Sequence, residues 1–217
     1  MAEQSAPIAV PAAGDPEFSQ VASREHIEAV ARALERNGIR AIVAADGGEA
    51  REAVHSLLAD GAAVYNNTSR TLEAIGVSED IERSGRYQAL RLRLYQMDRE
   101  MQRDEMRTIA ASPDNVVGSA HAVTDDGSLM IASASGSQLG PIVSGASHVI
   151  LVIGGQKIVP DIPTGFRRIY EYCFPLEDAR ARNAYGVPSG VNNVLIINRV
   201  LASGRITAIL VPEQLGF

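Results

Sequence analysis

The run HVILVIGG over residues 148–155 constrains this chain most. Val149, Ile150, Leu151, Val152 and Ile153 are apolar in succession, with none of the polar alternation of a half-exposed strand. Such a run suits a strand covered on both faces, as in a parallel sheet with helices above and below it. The two glycines that follow end the strand and let other groups approach the backbone closely.

The rest of the chain is read around that strand. Ser23 is placed to cap a helix carrying Ile27, Val30 and Leu34 at helical spacing, and Asn37-Gly38 ends it, with Gly38 suited to a left-handed stop. Strands are expected over 39–44 and 62–65, with helices over 49–59 and 71–75. The charged segment 87–111 reads as one amphipathic helix with Leu90, Leu94, Met97 and Met101 on a single stripe. That stripe packs either on the sheet or against a partner or second copy, making a homodimer.

Short strands follow at 116–117, 128–132 and 148–153, separated by Gly, Ser and Pro. A helix over 163–174 is expected to break or kink at Pro175. Strands at 194–197 and 206–211, joined by a turn at Ser203-Gly204, close the chain. Alternating strands and helices predict an α/β fold with a mostly parallel sheet and helices on both faces.

Charge and composition narrow the partners. The net charge is −6 and tryptophan is absent, which argues against a phosphate backbone or stacked bases, so nucleic acid is not an expected partner. No apolar run is long enough for a membrane span. Residues 1–20 are rich in Ala, Pro and Gly without a basic start; they predict a flexible tail ahead of a domain at 21–217, and a cytoplasmic location. Cys173 is the single cysteine, so this chain alone holds no iron–sulfur cluster or structural zinc. No His/Asp/Glu/Cys group has metal-site spacing.

In open α/β sheets, ligands sit beyond the carboxyl ends of the strands. Three segments have the composition for that position. Asn67, Thr68, Ser69 and Arg70 follow a strand and open a helix. Ser135, Gly136, Ser137 and Gln138 combine small residues with hydroxyl donors. Gly155 and Lys157 follow the most apolar strand, and Lys157 is the chain's one lysine beside nineteen arginines. These are the expected residues for a small anionic ligand, though each segment also reads as an ordinary turn, cap or strand end. His121 is the candidate for proton transfer near neutral pH. Asp125-Asp126-Gly127 reads as a turn.

Gly118-Ser119, Ala122-Val123-Thr124, Gly136-Ser137-Gln138, Gln156-Lys157-Ile158-Val159, Pro175-Leu176-Glu177 and Glu213-Gln214-Leu215-Gly216 occur in fixed order. In these motifs the chain resembles the bacterial LUD-domain family, named for lactate utilisation. The resemblance is strongest from Gly118 to the end and looser before it. It implies a three-layer α/β/α sandwich, in a superfamily with sugar-phosphate isomerases, CoA transferases and formyltetrahydrofolate cyclo-ligase. It also implies work beside iron–sulfur protein partners that oxidise L-lactate to pyruvate. Some isomerases of that superfamily carry a Gly-Ala-Asp segment whose Asp does acid–base work; His121 stands at the comparable place here.

Two functions follow as expectations. One is an accessory, anion-binding component of organic-acid utilisation. The other is an enzyme acting on a phosphorylated or CoA-linked small molecule.

Overall fold

The computed structural model describes residues 14–217. In chain order the strands are β1 (Arg40–Val43), β2 (Ala63–Asn66), β3 (Gln88–Ala89), β4 (Asn115–Gly118), β5 (Ala122–Thr124), β6 (Leu129–Ser133), β7 (His148–Gly154), β8 (Ile158–Val159), β9 (Asn193–Ile197) and β10 (Ile206–Val211). The helices are α1 (Arg24–Arg36), α2 (Gly47–Leu57), α3 (Arg70–Ala74), α4 (Val77–Arg83), α5 (Leu90–Gln96), α6 (Arg103–Ala111), α7 (Ile162–Arg168) and α8 (Phe174–Tyr185).

The main sheet has the order β1-β10-β7-β4-β2-β3, and every pair in it is parallel. The apolar run is β7, near its middle. Val149, Leu151 and Ile153 face α1 and a second sheet, while Ile150 and Val152 face α2, α3 and α4. Burying each such side chain contributes about 1.5–3 kcal/mol, which is why the strand carries no polar alternation.

The second sheet, β8-β5-β6-β9, is mixed. β5 and β6 form a hairpin around Asp125-Asp126-Gly127, with Gly127 at φ 85°. One face, through Val123, Leu129 and Ile131, joins the core under α1, and the other packs Ala122, Met130 and Ala132 against Ile169 and its neighbours. The architecture is therefore α/β/α, with a small sheet inserted on one side of the main one.

Local chemistry explains most boundaries. Ser23 Oγ accepts the His26 N–H at 3.2 Å and starts α1. Gly38 stops it at φ 78°, and a Cβ there would lie 2.2 Å from the Val200 carbonyl oxygen, so only glycine fits.

Several expectations are revised. Segment 87–111 is not one helix: α5 and α6 are separated by residues 97–102, where Asp98 Oδ1 takes the N–H groups of Glu100 and Met101. Leu90 is buried, but Met101 is 85% exposed and α6 buries nothing, so no stripe runs through the segment. The strands at 128–132 and 194–197 belong to the second sheet, and β9 and β10 lie in different sheets. Pro175 does not break the helical path. Residues Ile169–Cys173 widen into a π turn, and Pro175 then falls in the first turn of α8, where a missing N–H costs little. Of the expected tail, residues 1–13 lie outside the described residues. Within 14–20, Pro16–Ser19 forms a short turn that buries Phe18 against Tyr172 and Cys173.

Candidate functional site

The carboxyl ends of β2, β4, β7 and β10 lead to one place. Thr71 follows β2, Ser119 follows β4, Lys157 follows β7 and Leu215 follows β10. Lys157 is 1% exposed, and its Nζ donates to Thr71 Oγ1 at 2.8 Å and Ser119 Oγ at 3.0 Å. Burial, then the charge of Arg168, pulls the Lys157 ammonium down to about 7.

Arg168, at the end of α7, is fully buried beside it. Its Nε donates to the Gln156 carbonyl at 3.2 Å, and its Nη1 to the His121 carbonyl and to Cys173 Sγ. The Arg168 Nη2 is buried without a partner. Among the described residues neither Arg168 nor Lys157 is in an ion pair, although burying a cation without an anion is costly. The widened turn after Arg168 brings Cys173 back against the guanidinium, 2.9 Å from Nη1. Burial raises the Cys173 thiol, and the two cations offset this only in part.

A cleft of about 440 Å³ opens beside this group, and Lys157, Arg168, Thr71 and Ser119 do not line it. His121 and Cys173 line it, as do Thr68, the Ser133–Gln138 loop and part of α8. His121 Nδ1 accepts the Ala132 N–H at 3.1 Å, which leaves the ring proton on Nε2. Burial, then Lys157 and Arg168, push its pKa down to about 3. In the neutral form His121 offers its Nε2–H as a donor at the cleft. Tyr95 and Tyr185 stand at the mouth, each with a guanidinium over its ring, from Arg91 and Arg180. Glu177, the carboxylate on that wall, is held by both forks of Arg180 at 2.7 Å.

The expected residues divide. Thr68, Ser135, Ser137 and Gln138 line the cleft, and Gly136 shapes the loop at φ 77°. Asn67 is buried against Gly118, with its Oδ1 unpartnered. Ser69 caps α3 by accepting the Leu72 N–H, and Arg70 pairs with Glu73 at the surface. Gly155 is a packing residue: a Cβ there would lie 2.9 Å from Val21 and 3.1 Å from Ile27. Arg168, Thr71, Ser119, Tyr95 and Tyr185 were not among the expected residues. Ser119 alone had a local signal, in the Gly118-Ser119 motif.

No group of three or more His, Cys, Asp or Glu side chains able to hold a metal ion occurs among the described residues. Nor is any helix among them long and apolar enough to cross a membrane.

The fold is similar to the crystal structure of a DUF162 family protein from Deinococcus radiodurans. The TM-score is 0.54 at 9% identity, covering 88% of this chain and 99% of that one, which makes it a likeness of fold. No curated protein matches the chain in sequence. The LUD domain model matches residues 27–211, which takes in both sheets and the cleft floor. The chain belongs to the LUD domain family.

Proposed function

We propose that this protein binds a small organic anion in the cleft, as an accessory component of organic-acid utilisation. L-lactate or its oxidation product is the ligand class that the family's name suggests. One observation carries the reading: two buried cations without a paired carboxylate among the described residues, Lys157 and Arg168, lie behind His121 and Cys173, which line an open cleft. A ligand carboxylate in the cleft would accept from His121 Nε2 and bring negative charge close to the two cations behind it. The cluster offers donors and no free carboxylate base, which supports binding over turnover. Any iron–sulfur centre would come from a partner, because the chain has one cysteine.

Calorimetric titration with L-lactate, pyruvate and inorganic phosphate tests this. Saturable binding of the carboxylates is expected, with no lactate-dependent dye reduction by the pure chain. If none of the carboxylates binds, the reading fails.

The volume of the cleft favours a second reading. About 440 Å³ exceeds what a three-carbon acid fills, and Ser135 and Ser137 add hydroxyls along one wall. A phosphorylated or CoA-linked substrate would use that space. Tighter binding of phosphorylated compounds than of lactate, lost in Ser137→Ala, would favour it.

A further inference from the structure

The chain is poor in aromatic residues, with six tyrosines, four phenylalanines and no tryptophan. Four of those ten, Tyr95, Phe174, Tyr185 and Phe217, nevertheless line the cleft beside His121. They come from α5, from both ends of α8 and from residue 217, so local composition does not bring them together.

Burial gives the cleft a direction. Ile169 and Cys173 are buried at its inner end, where the Arg168 Nη1 that touches Cys173 also donates to the His121 carbonyl. Phe174 and Phe217 are half-buried. Tyr95 and Tyr185, at the mouth, are 62% and 59% exposed. Polar chemistry follows the same axis. The His121 Nε2–H is a donor near the inner end, and the Glu177 carboxylate on the wall is already taken up by Arg180.

The two outer rings are fixed in orientation but left in water. Arg91 Nε donates to Tyr95 Oη at 3.2 Å, and its guanidinium lies 5.4 Å from that ring's centroid. Arg180 lies 5.2 Å from the centroid of Tyr185. Arg91 also acts electrostatically on Tyr185, which sets both rings around one opening. Oriented aromatic rings exposed at the rim of a cleft suit a flat ring, which they meet stacked or edge to face. Size agrees: an apolar cavity of about 150 Å³ holds a benzene ring, and this cleft of about 440 Å³ holds a ring and a three-carbon acid together.

We infer that the cleft takes a carboxylic acid bearing an aromatic ring on its tail, with the carboxylate inward at His121 and the ring outward against Tyr95 and Tyr185. This rests on the anion-binding reading and narrows it from lactate itself to an aryl-substituted acid with the same head. The ring replaces water on Tyr95 and Tyr185, and the tail lies along Phe174 and Phe217.

Calorimetric titration of the full chain with L-lactate, 3-phenyllactate and 3-cyclohexyllactate tests this. The phenyl acid should bind about 10- to 100-fold more tightly than lactate, and more tightly than the cyclohexyl acid. A Tyr95→Ala/Tyr185→Ala double variant, checked for folding by circular dichroism, should cut the phenyl-over-lactate ratio about tenfold. The Tyr95→Phe/Tyr185→Phe variant keeps both rings and should keep the ratio. If lactate binds and the phenyl acid binds no more tightly, the aromatic tail is overturned and the anion reading stands. Equal affinity for the phenyl and cyclohexyl acids, or a ratio unchanged in the double alanine variant, also overturns it. If neither lactate nor phenyllactate binds, both fall together.

Discussion

Between α2 and α4, Arg51 donates from Nε and Nη2 to the two oxygens of Asp80, each at 2.5 Å. His55 joins them, with Nε2 2.8 Å from Asp80 and Nδ1 2.9 Å from Tyr87 Oη. The Arg51 fork, set against some cost of burial, holds the Asp80 carboxyl below its ordinary range. The buried group beside the cleft also has an arginine and a histidine, with a lysine in addition, but no paired acid among the described residues. Its arginine is fully buried where Arg51 is half-exposed, and one of its nitrogens has no partner. The first cluster pairs its charges within the chain, whereas among the described residues the second has no acid paired with its cations. Residue types alone do not separate a structural ion cluster from a binding site; the balance of donors and acceptors does.

Removing Arg168 should break this contrast most severely. Arg168→Met takes out the unpartnered donor and one buried charge. Losing one of the two buried charges beside the ligand should cost about 1.4 kcal/mol, so lactate affinity in calorimetry should fall about tenfold. Unchanged affinity would remove the floor from the site.

A pH series sharpens the same point. A bound carboxylate stabilises the Lys157 ammonium, so it raises that group's pKa from about 7 and binding takes up a proton. Affinity for lactate should therefore fall as pH rises through about 7, by about tenfold over two pH units. A flat profile from about pH 6 to about pH 9 would mean that Lys157 supplies no charge to the ligand.

The paired cluster should respond the other way. Asp80→Asn should lower stability by about 1 kcal/mol in denaturant titration, since the pair is partly exposed, and leave ligand affinity unchanged. The smallest effect is expected at Arg70, an exposed partner of Glu73. Arg70→Ala should change stability by less than about 0.5 kcal/mol and leave binding unchanged. A large loss of binding in Arg70→Ala would return that residue to the site.

How much could be read from the sequence varied with how local the cause was. The stop at Gly38, the cap at Ser23 and the turn at Asp125-Asp126-Gly127 follow from neighbours within a few residues, and each appears as expected. Lys157 was legible because it is unique and follows β7. Arg168 was not: it is one of nineteen arginines in a helix, and its burial depends on the widened turn to Cys173 and on contacts to Gln156 and His121. The second sheet was hidden because β5 is three residues long and β8 and β9 come to the β5–β6 hairpin from distant parts of the chain. The break between α5 and α6 was hidden because its charged residues fit a solvated helix as well as a loop.

What the sequence determined by itself is the middle of the parallel sheet and the stops of its flanking helices. Continuous apolar runs and left-handed glycines act over a few residues and leave few alternatives. Only the tertiary structure decided that Thr71, Ser119, Lys157, Arg168 and His121 meet in one buried group. A hydroxyl becomes an acceptor only when a distant carbonyl has taken its proton, and a cation becomes unpaired only when folding excludes every acid from its reach.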